Sequence, residues 1–168
     1  MNIKILGLFI VIISCSLMGV SVYEKYYRRT VFLKSYLEFI IYLKNEINYK
    51  QNQIFSVLEN YNSSTSINFY ISKLLNYLKK YPLEYSWSKT FEKISSENGV
   101  SQDEENIIKE FGKQLCSLDL EMEINILHHH IETLKIHLNE AIDVKKSKGK
   151  LPIILGLSIG FFIAIIFI

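Results

Sequence analysis

The sequence contains no CxxC pair, no HExxH, no DxDxDG loop, no GxSxG elbow and no GxxxxGK phosphate loop. Each absence removes a chemistry, from closed zinc and calcium sites to activated serine and nucleotide phosphate. Glycine is scarce, at seven residues, and several of these lie inside apolar runs. Only two cysteines occur, Cys15 in an apolar run and Cys116 in a stretch with helical periodicity, so neither reads as half of a disulfide framework. The net charge is only +2, and the 11 tyrosines and 10 phenylalanines are not interleaved with a basic patch. That pattern excludes a nucleic-acid surface.

What the chain does have is apolar sequence at both ends. "ILGLFIVIISCSLMGVSVY" lies near the start and "LPIILGLSIGFFIAIIFI" makes up the last residues. The order Ile12-Ile13-Ser14-Cys15 resembles a lipid-modification site, yet apolar residues continue past the cysteine through Leu17, Met18, Gly19, Val20 and Val22. The run is also too long for a signal-peptide core, so it is expected to be an uncleaved span. Leu151 to Ile168 carries no charge and makes ~27 Å of helix at ~1.5 Å per residue, just enough to cross a bilayer.

Basic residues set the expected orientation. Lys25, Arg28, Arg29 and Lys34 follow the first apolar run, and Lys145, Lys146, Lys148 and Lys150 precede the second. By the positive-inside rule both clusters stay in the cytoplasm. The chain is therefore expected to have a transmembrane helix at 1–23, a cytoplasmic domain at 24–150 and a second transmembrane helix at 151–168.

Periodicity predicts helices throughout the middle. Leu33, Tyr36, Ile40, Leu43 and Ile47 step by three and four, which extends the first helix to about Tyr49. A short helix is expected over Gln53 to Tyr61, edged by Ile54, Val57, Leu58 and Tyr61, followed by a capped turn at "NSSTS". Ile67, Ile71, Leu74, Leu78 and Tyr81 form the next apolar face until Pro82 ends it, and a shorter helix carrying Trp87, Phe91 and Ile94 stops at Asn98-Gly99.

Ser101 with Glu104 predicts a capping box opening a very long helix, ~65 Å if unbroken. Its apolar positions run Ile108, Phe111, Leu115, Leu118 and Met122, then shift phase to Leu127, Ile131, Leu134, Leu138 and Ala141. Asp103, Glu104 and Glu105 oppose the positive end of its dipole. Gly149 and Pro152 separate it from the last span. The expected fold is all-α: an antiparallel helical bundle between two transmembrane helices, with the first and last helices as neighbours.

All four histidines fall on that last long helix, in "INILHHHIETLKIH". At ~100° per residue His129 faces away from the apolar stripe, His128 sits on one border, and His130 and His137 share the other. Those two are ~10.5 Å apart along the axis, too far to reach one ion together. Pairs at chelating spacing, such as His128 or His129 with Glu132 and His137 with Glu140, supply two ligands at most. The histidines are therefore expected on the border and solvent faces, with no metal and no cofactor.

Gly156 and Gly160 have the small-xxx-small spacing that lets membrane helices approach closely, against Leu8 and Ile12 of the first span or against another subunit.

Taken together, "EINY" at Glu46 to Tyr49, "FGKQLCSLD" at Phe111 to Asp119, Ala141, and "LGLSIG" at Leu155 to Gly160 resemble, in order and approximate spacing, the stage III sporulation protein AB family of endospore formers. The resemblance covers essentially the whole chain. Cys116 stands where that family tends to have glycine, Glu123 where it often has glutamine, and Gln53-Ile54 where it has Pro-Leu. The resemblance implies a non-enzymatic subunit of a secretion-like channel complex between mother cell and forespore, similar to the platform protein of type II secretion. Implied partners are other stage III subunits, including a cytoplasmic secretion-type ATPase, with no small-molecule substrate. It also implies partner or packing roles for Glu46, Tyr49, Phe111, Gly112 and Asp119 beside Gly156 and Gly160. A membrane-bound metal enzyme using the histidine helix, or an adaptor of another secretion apparatus, are the alternative expectations.

Overall fold

In the computed structural model, residues 2–50, 54–62, 65–115 and 120–167 are described. Their order is α1 (Asn2–Lys50), α2 (Ile54–Asn60), α3 (Ile67–Leu78), α4 (Leu83–Thr90), α5 (Ile94–Asn98), α6 (Gln102–Gln114), α7 (Leu120–Lys148) and α8 (Leu151–Phe167). No strand occurs among the described residues, as the periodicity predicts. The chain divides into two compact units, Met1–Thr30 with Glu140–Ile168, and Val31–Asn139.

The Val31–Asn139 unit is a helical bundle whose core repeats the predicted stripes. Leu33, Tyr36, Ile40, Leu43 and Ile47 of α1 are all buried, as are Ile67, Ile71 and Leu74 of α3, Ile108 and Phe111 of α6, and Leu127, Ile131 and Leu134 of α7. Each such aliphatic or aromatic side chain contributes about 1.5–3 kcal/mol on burial. Trp87, fully buried, stands among Phe39, Phe91 and Phe111 with ring centroids 5.2–6.2 Å away. Its Nε1 donates to the Ile108 carbonyl at 2.8 Å, which satisfies the one polar atom it brings inside.

Helix starts and stops depart from expectation at four places. Ser66 precedes α3 with helical dihedrals (φ −58°, ψ −20°) and makes no capping bond, because a cap side chain reaches the helix amides only from extended backbone. Ser63 and Ser64 of the same turn lie outside the described residues. α3 ends at Leu78, before Pro82; Lys80 and Tyr81 both donate to the Tyr77 carbonyl in a closing turn that leaves Tyr81 exposed.

The helix carrying Trp87, Phe91 and Ile94 is two helices. Lys93 adopts the left-handed conformation (φ 72°), and the backbone amides it frees are taken by Glu105, which accepts from Lys93 N at 3.2 Å and Ser95 N at 2.8 Å. Gly99, also left-handed, closes α5 as expected.

The predicted ~65 Å helix is likewise two elements, α6 and α7, and Met122 on the first stripe is exposed. Leu118 lies outside the described residues. The capping box opening α6 is complete: Glu104 N donates to Ser101 Oγ at 3.1 Å and Ser101 N donates to Glu104 Oε2 at 2.7 Å.

Candidate functional site

In the terminal unit, α8 lies antiparallel against the first part of α1, and glycine makes the approach possible. A side chain at Gly19 would collide with the Pro152 carbonyl oxygen, one at Gly156 with the Cys15 carbonyl, and one at Gly160 would come within 3.0 Å of Ile12 Cα. These are backbone contacts, so no rotamer change relieves them. The ladder continues with Tyr23 beside Gly149, Lys145 Nζ 4.5 Å over the Tyr27 ring, and Thr30 Oγ1 3.5 Å from the Ala141 carbonyl.

Gly156 and Gly160 thus meet Ile12 and Cys15, and the seam extends to Ala164, buried one turn further along. The Leu8 side chain lies outside the described residues. Gly19 is a contributor that sequence reading missed, because a single glycine in an apolar run carries no spacing signal.

Away from the seam, the same two helices expose apolar side chains: Phe9, Ile13, Leu17 and Met18 on α1, and Leu155, Phe162, Ile165 and Ile166 on α8. Two helical stretches, within Phe9–Asn48 and Glu121–Ile166, are long and apolar enough to cross a membrane, and their most apolar windows are only 6% and 17% buried. A soluble core helix of this composition would hide its side chains instead. The hydroxyls in these stretches satisfy themselves within their own helix, Ser14 on the Ile10 carbonyl, Ser21 on Leu17 and Ser158 on Ile154, at 2.8–3.0 Å.

In the Val31–Asn139 unit the "FG" of the sequence motif is interior. Phe111 stacks on His130 with centroids 4.0 Å apart and planes 9° from parallel. The Trp87 indole occupies the volume a Gly112 side chain would need.

His130 is a correction to the border placement: it is buried, with Nε2 sharing a hydrogen bond with the Tyr36 hydroxyl at 3.2 Å. The angular argument set it relative to one stripe of α7, but α1 and α6 both close over it. Burial, with a smaller contribution from His129, pushes its pKa down to about 3, and burial raises the Tyr36 hydroxyl well above its usual value. Both are neutral at physiological pH.

His128 and His129 are exposed, and half-buried His137 places Nδ1 3.5 Å from Glu104 Oε1. Glu132, their chelating-spaced neighbour, is 2.7 Å from Lys135. Among the described residues no group of three or more His, Cys, Asp or Glu side chains comes together as metal ligands.

Glu46 is half-buried on α1, while the Tyr49 side chain and Asp119 lie outside the described residues. The motif residues therefore fall into two places, Phe111 and Gly112 in the bundle core and Gly156 and Gly160 in the terminal seam.

No curated protein and no solved structure matches the chain. Residues 4–168, nearly the whole length, match the family described as stage III sporulation protein AB, and the chain belongs to that family.

Proposed function

We propose that the chain is a non-enzymatic docking subunit of the secretion-like channel complex between mother cell and forespore, anchored on the mother-cell side by two membrane spans. The observation that carries this reading is the seam in which Gly19, Gly156 and Gly160 let two outwardly apolar helices meet backbone to backbone. Lipid offers no hydrophobic drive for helices to pair, so close van der Waals approach over small residues is the available source of association. Lys25, Arg28 and Arg29 after one span and Lys145, Lys146, Lys148 and Lys150 before the other support a cytoplasmic middle unit. A helical bundle held at both chain ends suits a platform on which a cytoplasmic ATPase and membrane subunits dock. That ATPase, and the likeness to the type II secretion platform, rest on the family resemblance.

The test is copurification of a tagged full-length chain from sporulating cells. Other stage III subunits and a secretion-type ATPase should copurify, and Gly156→Leu with Gly160→Leu should abolish this while the bundle stays folded. Sporulation and copurification unaffected by the double change would sink the anchoring role of the seam.

A further inference from the structure

The terminal unit contains a pocket of about 410 Å³ lined by Tyr23 and Thr30 of α1 and by Ile142, Lys145, Lys146 and Lys150. Three ammonium groups and no carboxylate line it. That volume lies within the range of small-ligand pockets, ~300–1,000 Å³. Lys145 is held in place over the Tyr27 ring, 4.5 Å from its centroid. The Thr30 hydroxyl proton is committed to the Tyr26 carbonyl at 3.0 Å, which leaves the lysines and the Tyr23 hydroxyl as donors.

The position matters as much as the charge. Tyr23 ends the first apolar run, and Lys150 directly precedes the second. Leu151 and Ile154, the next residues with large side chains exposed on α8, offer an apolar surface beside the basic group. Charge at the border with apolar surface next to it is the arrangement that suits one amphiphile, a phosphate headgroup carrying acyl chains.

We propose that this pocket binds the phosphate headgroup of an anionic phospholipid. The proposal rests on the reading that these helices span the membrane. Bound lipid would fill the angle between α1 and the α7–α8 junction and fix both helices at the border.

The test uses full-length protein in detergent, with bound lipid counted by native mass spectrometry during titration with phosphatidylglycerol, phosphatidylcholine or inorganic phosphate. Phosphatidylglycerol should be retained over phosphatidylcholine by about an order of magnitude, as three nearby lysines allow. The Lys145→Gln, Lys146→Gln, Lys150→Gln variant should lose that preference. The Lys25→Gln, Arg28→Gln, Lys148→Gln variant, equal in charge but outside the pocket lining, should keep it.

Equal loss in both variants would assign the preference to diffuse charge and overturn the pocket. Displacement of phosphatidylglycerol by an equal concentration of inorganic phosphate would overturn the lipid as ligand. Alkaline carbonate extraction separates the two layers of the argument: release of the wild-type chain contradicts the spans, whereas a retained chain with no lipid preference contradicts the pocket alone.

Discussion

The indole of Trp87 lies where a side chain on Gly112 would have to go, and its Nε1 is fixed to the Ile108 carbonyl one turn earlier on the same helix. Trp87 therefore packs on α6 through a notch that only glycine provides. In an ordinary helix interior Gly→Ala stabilises by ~0.5–1 kcal/mol. Here Gly112→Ala should destabilise by ~1–3 kcal/mol, the cost of overpacking. The sign of the change in denaturant midpoint decides, and a double-mutant cycle with Trp87→Phe should recover part of the loss.

Lys93 is the one non-glycine residue with positive φ among those described. Left-handed backbone costs a non-glycine residue ~1–2 kcal/mol, and Glu105 holds it there by accepting two amides. Lys93→Gly should raise the unfolding midpoint by an amount equivalent to ~1 kcal/mol. Glu105→Ala should lower it by ~1–3 kcal/mol, since two amides lose their acceptor. Burial raises the Glu105 pKa, but the hydrogen bonds from Ser95 and Lys93 and the charge of Lys109 more than offset it, so the carboxylate is ionised at neutral pH. A neutral effect of both substitutions in thermal denaturation would contradict this view of the α4–α5 break.

These two relationships also show where sequence reading stops. The stripes Leu33 to Ile47 and Leu127 to Ala141 were legible because a helix repeats every three to four residues, and the side chains that defined them are buried except Leu138, which is half-buried. The capping box and the Asn98-Gly99 stop were legible because caps are local chemistry. The break at Lys93 was not, since its cause is a carboxylate on another helix, twelve residues away. Nor was the interior placement of His130, which depends on Phe111 and Tyr36 arriving from two other elements. Of the terminal seam, the half written as a spacing, Gly156 and Gly160, could be read, and the half written as the lone Gly19 could not.

His130 supplies a pH dependence with a definite sign. Its folded pKa of about 3 lies below the ordinary histidine value of ~6.5. The unfolded chain takes up the proton first, so the stabilising effect is complete above ~6.5 and is lost as pH falls toward the folded value. Between pH 6.5 and 5, above most carboxylate titrations, stability should fall by up to about 1 kcal/mol per pH unit. His130→Leu should flatten that slope while lowering stability at neutral pH, because the Tyr36 hydroxyl loses its partner. An unchanged slope in the variant would show that the histidine is not the group responsible.

The α1–α8 seam can be trapped covalently. A Cβ at position 160 lies 3.4 Å from the Cys15 Cβ and 3.0 Å from Ile12 Cα, so a shift of the helices by a few tenths of an ångström admits it and leaves the two Cβ atoms at the separation disulfides adopt, ~3.5–4.5 Å. Gly160→Cys with Cys116→Ser should therefore form an intramolecular disulfide with Cys15 under mild oxidation, read as a faster-migrating band without reductant. Adding Gly19→Leu should suppress it by forcing the helices apart. A purely intermolecular cross-link would place the partner of α8 on a second chain.

The most direct measurement is the sidedness of the middle unit. In a chain with Cys15 and Cys116 replaced by serine, Asn62→Cys should be unreactive toward a membrane-impermeant maleimide in intact cells and should label fully after permeabilisation. Labelling of Asn62→Cys in intact cells would contradict the two-span layout, and with it the cytoplasmic docking role.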